Sequence, residues 1–509
     1  MAISNVTRNP ITNQLVSMRG QLEELQRQLG TGARAETYGG LGSERTLSIS
    51  FRSRLANLES YSATSDQLNL RIKLLNSSLT RLSAVPTDIR AALDPNAYQV
   101  RLDGRTDAQK TARIALDEVV GLLNSEADGR YLFSGRETDT KPVIDVQRML
   151  QGDGAKDGLM QVTAERLTAD LGVGGKGRLE IATTAATVSL SRQTPLSAEF
   201  GFKISDAETT SGGITITQSG SPVTSVDFAV SGTVNAGDTV TLELQNPDGT
   251  TSAIKLKATL SATPAAGEFT IGATVNDTAA NMGAALTVAV DRAVATDLKA
   301  ASAMRAGQNF FDTLGGKAPQ RVDATSGGGS LASAVSLRDG TQSDTVFWYR
   351  GYNGAIDPSD PSTLPRSDSV ARVDTSIDVS YGARANEEGL RRLVQSLAVT
   401  AVAQFSGSVA TDEDRYRALI ERTRDGLAAK EGVQRPQDIH AEIAVAGKIA
   451  IDTAARNKIN KSSILEMLDG TEGVKLEEIA AQIRTLQTRM QASYQTTSLL
   501  SELSLVNYM

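Results

Sequence analysis

The hydrophobic residues at the two ends of the chain follow one spacing. Ile11, Leu15, Met18, Leu22, Leu25 and Leu29 advance in alternating steps of four and three, which places them on one stripe of an α-helix. Leu476, Ile479, Ile483, Leu486 and Met490 alternate in the same way near the other end, with Glu, Gln, Arg and Thr at most of the positions between them. A stripe this narrow is a packing seam that needs a partner helix. Two matching seams predict a chain whose ends close into a hairpin, with the middle held out at the far side. These residues, with Leu503, Leu505, Val506 and Tyr508 at the extreme C-terminus, form the candidate assembly interface. Isolated helices of about 12–15 residues are marginal in water. The ends are therefore expected to be loose in the monomer and to order on assembly.

Between the seams the pattern changes twice. Residues 1–10 are polar and expected to be disordered alone, and the stretch Thr31–Gly42 holds four glycines and reads as a loop. Ser43 is a candidate N-cap for a helix carrying Leu47, Phe51, Leu55, Leu58, Leu68, Ile72, Leu75, Leu79 and Leu82, which Pro86 should kink or end. At about 40 residues this helix is far above the usual mean, which favours an elongated bundle. Thr106 or Asp107 opens a further helix that Asp128–Gly129 should stop. From about Val143 to Ala371 the helical period gives way to alternating runs such as Val226–Val230 and Thr239–Leu244. Asn246-Pro247-Asp248-Gly249 is a hairpin signal. Asp277 should cap a helix with Met282, Leu286, Val290 and Val294 on one face, followed by a second through Leu298, Met304 and Phe310. Helix returns near Gly382. Thr411 with Asp414 suggests a capping box, Pro436 suits a first helical turn, and Asp469–Gly470 should end that helix before the terminal seam.

Composition removes several classes of function. The chain has 509 residues, no cysteine, one histidine (His440) and a net charge of −7. Disulfides, thiolate sites and multi-histidine metal sites are thereby excluded, and a dedicated nucleic-acid binder would be basic. The N-terminus has no apolar core of a Sec signal, and no run of about 18 apolar residues suggests a membrane span. Candidate chemistry reads as structural throughout. Gly172-Val173-Gly174-Gly175-Lys176-Gly177 lacks the Lys-Ser/Thr of a phosphate loop. The acids Asp412, Glu413 and Asp414 suit a helix start, and Asp357-Pro358-Ser359-Asp360-Pro361 is turn chemistry. His440 lies beside the apolar Ile439–Ile443 face as a surface or packing residue. No catalytic, cofactor or metal residues are expected, so an enzyme is the least favoured class.

Several stretches together resemble the bacterial flagellin superfamily. They are Ile3-Ser-Asn-Val-Thr-Arg-Asn-Pro-Ile-Thr-Asn-Gln-Leu15, Gly129-Arg-Tyr-Leu-Phe-Ser-Gly135 with Thr138 and Pro142, Tyr381-Gly-Ala-Arg-Ala-Asn-Glu-Glu-Gly389, and the ending Gln487–Met509 with Asn507-Tyr508. The ending is most similar to the hook–filament junction branch. The resemblance covers roughly residues 1–145 and 375–509. It implies a mainly α fold with a β-rich insertion: an elongated helical coil and bundle formed by both termini, with outer α+β and β domains from the middle. The resulting expectation is a coil domain from 1–42 with 470–509 and a bundle from 43–145 with 375–469. A β-rich outer domain from 146–205 with 313–374 carries an inserted α+β domain at 206–312. The resemblance also implies export through the flagellar channel to an extracellular flagellum. The implied partners are other copies of the chain, a neighbouring hook-associated protein, flagellin and a flagellar export chaperone. Two alternatives stay open: flagellin itself, and a glycan-binding or adhesion role for the outer region.

Overall fold

The computed structural model describes the backbone of residues 10–506 and the side chains of residues 13–499. The chain is mixed α and β, 52% helical, with long helices and several small, mostly antiparallel sheets. In order it runs through α1 (Pro10–Thr31), α2 (Arg45–Ala92), α3 (Asp107–Leu123), β1 (Glu126–Ala127), β2 (Arg130–Tyr131), α4 (Val146–Gln151) and α5 (Leu159–Leu171). Then come β3 (Leu179–Thr184), β4 (Thr187–Arg192), β5 (Lys203–Thr209), β6 (Ile214–Ser219), β7 (Ser225–Val230), β8 (Thr239–Gln245), β9 (Thr251–Thr259) and β10 (Glu268–Thr270). Helices α6 (Val275–Ala293) and α7 (Lys299–Phe311) follow, joined by one π-helical turn at Val294–Leu298. The remainder is β11 (Gln320–Val322), β12 (Leu337–Asp339), β13 (Val370–Asp374), β14 (Ile377–Ser380), α8 (Glu388–Val402), α9 (Asp412–Gly426), α10 (Pro436–Glu472) and α11 (Leu476–Val506).

The chain divides into two compact units. Unit 1 comprises Met1–Asn69, Ala371–Val379 and Lys448–Met509; unit 2 comprises Leu70–Val370 and Ser380–Gly447. Unit 2 holds two four-stranded sheets, ordered β3-β4-β7-β6 and β10-β9-β8-β5. Their register follows the alternation of the sequence. Val188 faces Phe228 and Leu190 faces Val226 across β4 and β7, while Val240 faces Leu256 and Leu242 faces Ile254 across β8 and β9. All of these side chains join one buried core, which Met282, Leu286 and Val290 of α6 complete. Gly283 lies so close to Thr183 that a Cβ there would collide with its hydroxyl, which lets α6 approach β3.

This core corrects the expected boundary at 205/206. That boundary falls inside β5, and the upstream pair β3–β4 hydrogen-bonds to β7, which belongs to the expected insert. β4 pairs with β3 along one edge and with β7 along the other, so β3 and β4 complete the sheet of β6 and β7. The segment expected to open the β-rich region is helical instead, as α4 and α5. Its period is disguised because Arg166 and Asp170 occupy the buried face of α5 beside Leu159, Val162 and Ala169. The two charges neutralise each other at 3.0 Å, and the Arg166 guanidinium also lies over the Phe200 ring.

Local signals fared unevenly. Thr106 and Gln109 form the capping box that starts α3. Thr106→Ala is expected to lower stability by about 1 kcal/mol, read as a shift in the urea midpoint without a change in slope. Asp128–Gly129 does not end that helix, which stops at Leu123. Both residues have positive φ and make the two-residue turn between β1 and β2. Pro86 does not stop α2, which continues to Ala92. Val85, Ile89 and Leu93 are buried beyond or beside it, and that burial outweighs one lost backbone hydrogen bond. The helix α6 is capped by Thr274 with Asp277 at its third position, not by Asp277 itself. Thr411 makes no side-chain cap. Asp412 turns back to accept from the Ser406 N–H and pairs with Arg415. Gly470 lies inside α10, which runs to Glu472.

Candidate functional site

Within unit 1 the two ends of the chain meet. A bridge joins Ala33 to Gly473, the Arg34 N–H donates to Glu472 O at 2.7 Å, and the Val474 N–H donates to Gly32 O at 3.1 Å. The end of α1 thus lies beside the start of α11, and the two helices pack antiparallel. Gly32, at φ +66°, makes the turn out of α1.

The seam residues do not share one environment. Met18, Ile479, Ile483 and Leu486 are buried, and Leu15, Leu22, Leu25 and Met490 are half-buried. Leu29 and Leu476 are exposed, at 40% and 50%. These two were expected on the seam. They sit at the end where backbone pairing joins the segments, so no helix face covers their side chains. The side chains of Ile11, Leu503, Leu505 and Val506, and the whole of Tyr508, lie outside the described residues.

A second antiparallel pair supports the first. In unit 1, α2 and α10 are held in register by Glu472, which accepts from the Ser48 hydroxyl and from both Nε and Nη2 of Arg52, and by the Glu59–Lys461 pair at 3.0 Å. Along this part of α10 the buried positions are small or polar: Ala450, Thr453 and Asn457, then Ile464 and Thr471. The Asn457 amide donates to Val373 O at 2.9 Å, and Arg456 pairs with Asp374 at 3.1 Å. These contacts dock the turn between β13 and β14 onto α10.

The Arg52 guanidinium holds the Glu472 carboxyl below its ordinary value of 4.5. A depressed carboxylate stabilises the fold above its unfolded pKa, and that contribution fades as pH falls below about 4.5 through the folded value. Arg52 is half-exposed, so solvent limits the pair to at most about 1 kcal/mol. Glu472→Gln is expected to lower the melting temperature of the helices slightly at pH 7 and to leave it unchanged near pH 3, followed by circular dichroism.

Unit 1 also carries an unusual surface. It holds about half of the exposed large apolar side chains among the described residues. Val16, Leu47, Ile451, Ile459, Tyr494 and Leu499 are each at least half exposed.

Sequence reading picked out two motifs in unit 2 without joining them. Gly129–Gly135 and Tyr381–Gly389 lie side by side: the Gly135 N–H donates to Ala383 O at 3.0 Å, and the Ala385 N–H donates to Phe133 O at 2.9 Å. Arg384 is buried in this joint with Asp368, and neither side chain has any exposure. Its guanidinium also donates to Gly354 O and Thr363 O and lies 5.0 Å from the Tyr352 ring centroid. Arg366 bridges Glu387 and Glu442 alongside. The partner Asp368 lies outside both motifs, 16 residues before Arg384, and has no local signature, so spacing could not reveal it.

The other candidates for chemistry are occupied structurally. Lys176, in the glycine-rich turn between α5 and β3, pairs with Asp291 at 2.6 Å. The Ser359 and Ser362 side chains, together with the backbone N–H groups of the same residues, hold the Asp357 and Asp360 carboxyls below their usual range. His440 is half-buried on α10. Among the described residues no cluster of His, Asp or Glu could hold a metal ion, and no helix is long and apolar enough to cross a membrane. Comparison with protein-family models gave no match, and comparison with curated proteins gave none.

Proposed function

We propose that the chain is a structural adaptor of the bacterial flagellum, joining the hook-associated ring to the flagellin filament. The observation that carries this reading is the antiparallel pairing of the two chain ends, α1 with α11, in a unit rich in exposed apolar side chains. In this reading both termini build an elongated coil and bundle, and the middle of the chain forms outer domains. The seam of Met18, Ile479, Ile483 and Leu486 closes each subunit. The remaining apolar surface of unit 1 is buried against other copies, against a hook-associated protein on one side and against flagellin on the other. Ordering the terminal helices costs conformational entropy, which burial in the assembly offsets. Folding and polymerisation are then one step, and an export chaperone would cover the C-terminal helix until that step. The protein would act outside the cell after passage through the flagellar channel, without catalysis or cofactor.

A strain lacking the chain tests this. It is expected to build hooks without filaments and to release flagellin monomers into the medium. Filaments of normal length in that strain would overturn the reading. Loss of the bulk filament subunit itself, with no flagellin released, would assign the chain as flagellin instead.

A further inference from the structure

A concentration of cationic side chains lies in unit 2, where α7, α8 and α9 pack together beside the turn between β8 and β9. Two adjoining hollows meet there and share Arg392, Gly426 and Lys430. The larger is about 590 Å³. The smaller, about 210 Å³, runs on to the end of α2 and the start of α10. Seven cationic side chains but only four carboxylates line the two together, in a chain whose net charge is −7. Asp438, Asp297 and Glu199, just outside the lining, bring its ion pairs close to balance, so what distinguishes the trough is the arginines left without a carboxylate.

Most of these cations are already neutralised. Arg422 pairs with Asp248 at 2.9 Å, Arg391 with Asp312 at 2.9 Å, Lys430 with Asp425 at 2.6 Å and Arg435 with Asp438 at 2.8 Å. Arg392 and Arg90 are different. Arg392 donates to Gly426 O at 3.3 Å, and neither arginine has a carboxylate partner among the described residues. A guanidinium presents a planar fork of donors that matches a carboxylate in two places. The trough also displays the amides of Gln308, Gln395, Gln434 and Gln437. A side-chain amide offers both a donor and an acceptor, the complement of a peptide backbone. No aromatic ring lines either hollow, so a base or sugar ring would find no stacking platform.

We propose that this trough binds an extended acidic peptide segment of a partner protein, with Arg392 and Arg90 taking its carboxylates and the glutamine amides taking its backbone. The proposal does not depend on the flagellar assignment. Fluorescence anisotropy of a labelled oligoglutamate peptide with the purified full chain tests it, at low and at physiological salt. Saturable binding that weakens with salt is expected, reduced about tenfold by Arg392→Gln and less by Arg90→Gln, and partly retained by Arg392→Lys. Arg90 is exposed at the end of α2, so Arg90→Gln decides the matter if Arg392→Gln folds poorly. The proposal fails if both neutral variants bind as tightly as the parent, or if oligoglutamine binds equally well. It fails also if dextran sulfate binds where oligoglutamate does not, which would point to an acidic polysaccharide.

Discussion

Leu486→Asp is expected to abolish incorporation of the chain into a polymer while unit 2 stays folded. Leu486 is 7% exposed on the face of α11 that meets α1, beside Ile479 and Ile483. Each such side chain contributes about 1.5–3 kcal/mol by burial, so the whole seam rests on a handful of residues. A carboxylate there removes one contribution and adds the cost of dehydrating a charge. The combined loss, roughly 3–5 kcal/mol, is a large fraction of what the four buried side chains of the seam contribute. The core of the two sheets and α6 contains no residue of unit 1 and should melt as before. Sedimentation of the polymer and a urea titration of the soluble chain check the two halves separately. A variant that polymerises normally would show that α1 and α11 do not govern assembly.

Arg384→Ala is expected to be the most damaging single truncation in unit 2. It leaves Asp368 buried with the Arg136 Nε at 3.0 Å as its remaining cationic partner, and removes donors from Gly354 O and Thr363 O. Breaking one side of a buried ion pair costs about 3–5 kcal/mol, of which the half-exposed Arg136 offsets a part, and the remainder is still a large share of the stability of most domains. Replacing both partners with apolar residues of similar volume, as in Arg384→Met with Asp368→Leu, should recover much of the loss. If the single variant shifted the urea midpoint no more than a surface substitution does, the joint would not be a point of stability.

Much of the helical frame was legible because its signals are local and periodic. The steps of three and four at Leu15–Leu25 and Ile479–Met490 correspond to the packed faces of α1 and α11. The Thr106 cap, Pro436 at the start of α10 and the Asn246–Gly249 turn each act within a few residues. What failed was of two kinds. Stop signals such as Pro86 and Gly470 were overridden where flanking residues are buried or hydrogen-bonded, as Ile89 and Glu472 are. Pairings distant in sequence left no trace: β4 with β7, Arg384 with Asp368, Glu472 with Arg52. At Leu29 and Leu476 the periodicity is intact but the partner face is missing, since register and helix ends, not spacing, decide what is covered. The helix α5 was hidden for the opposite reason, because charges that neutralise each other can occupy a buried face.

The position of the chain on the flagellum tests the central claim most directly. Gold-labelled antibody raised against unit 2 should mark a single narrow band between hook and filament. Label distributed along the whole filament, or none on the flagellum, would contradict the account.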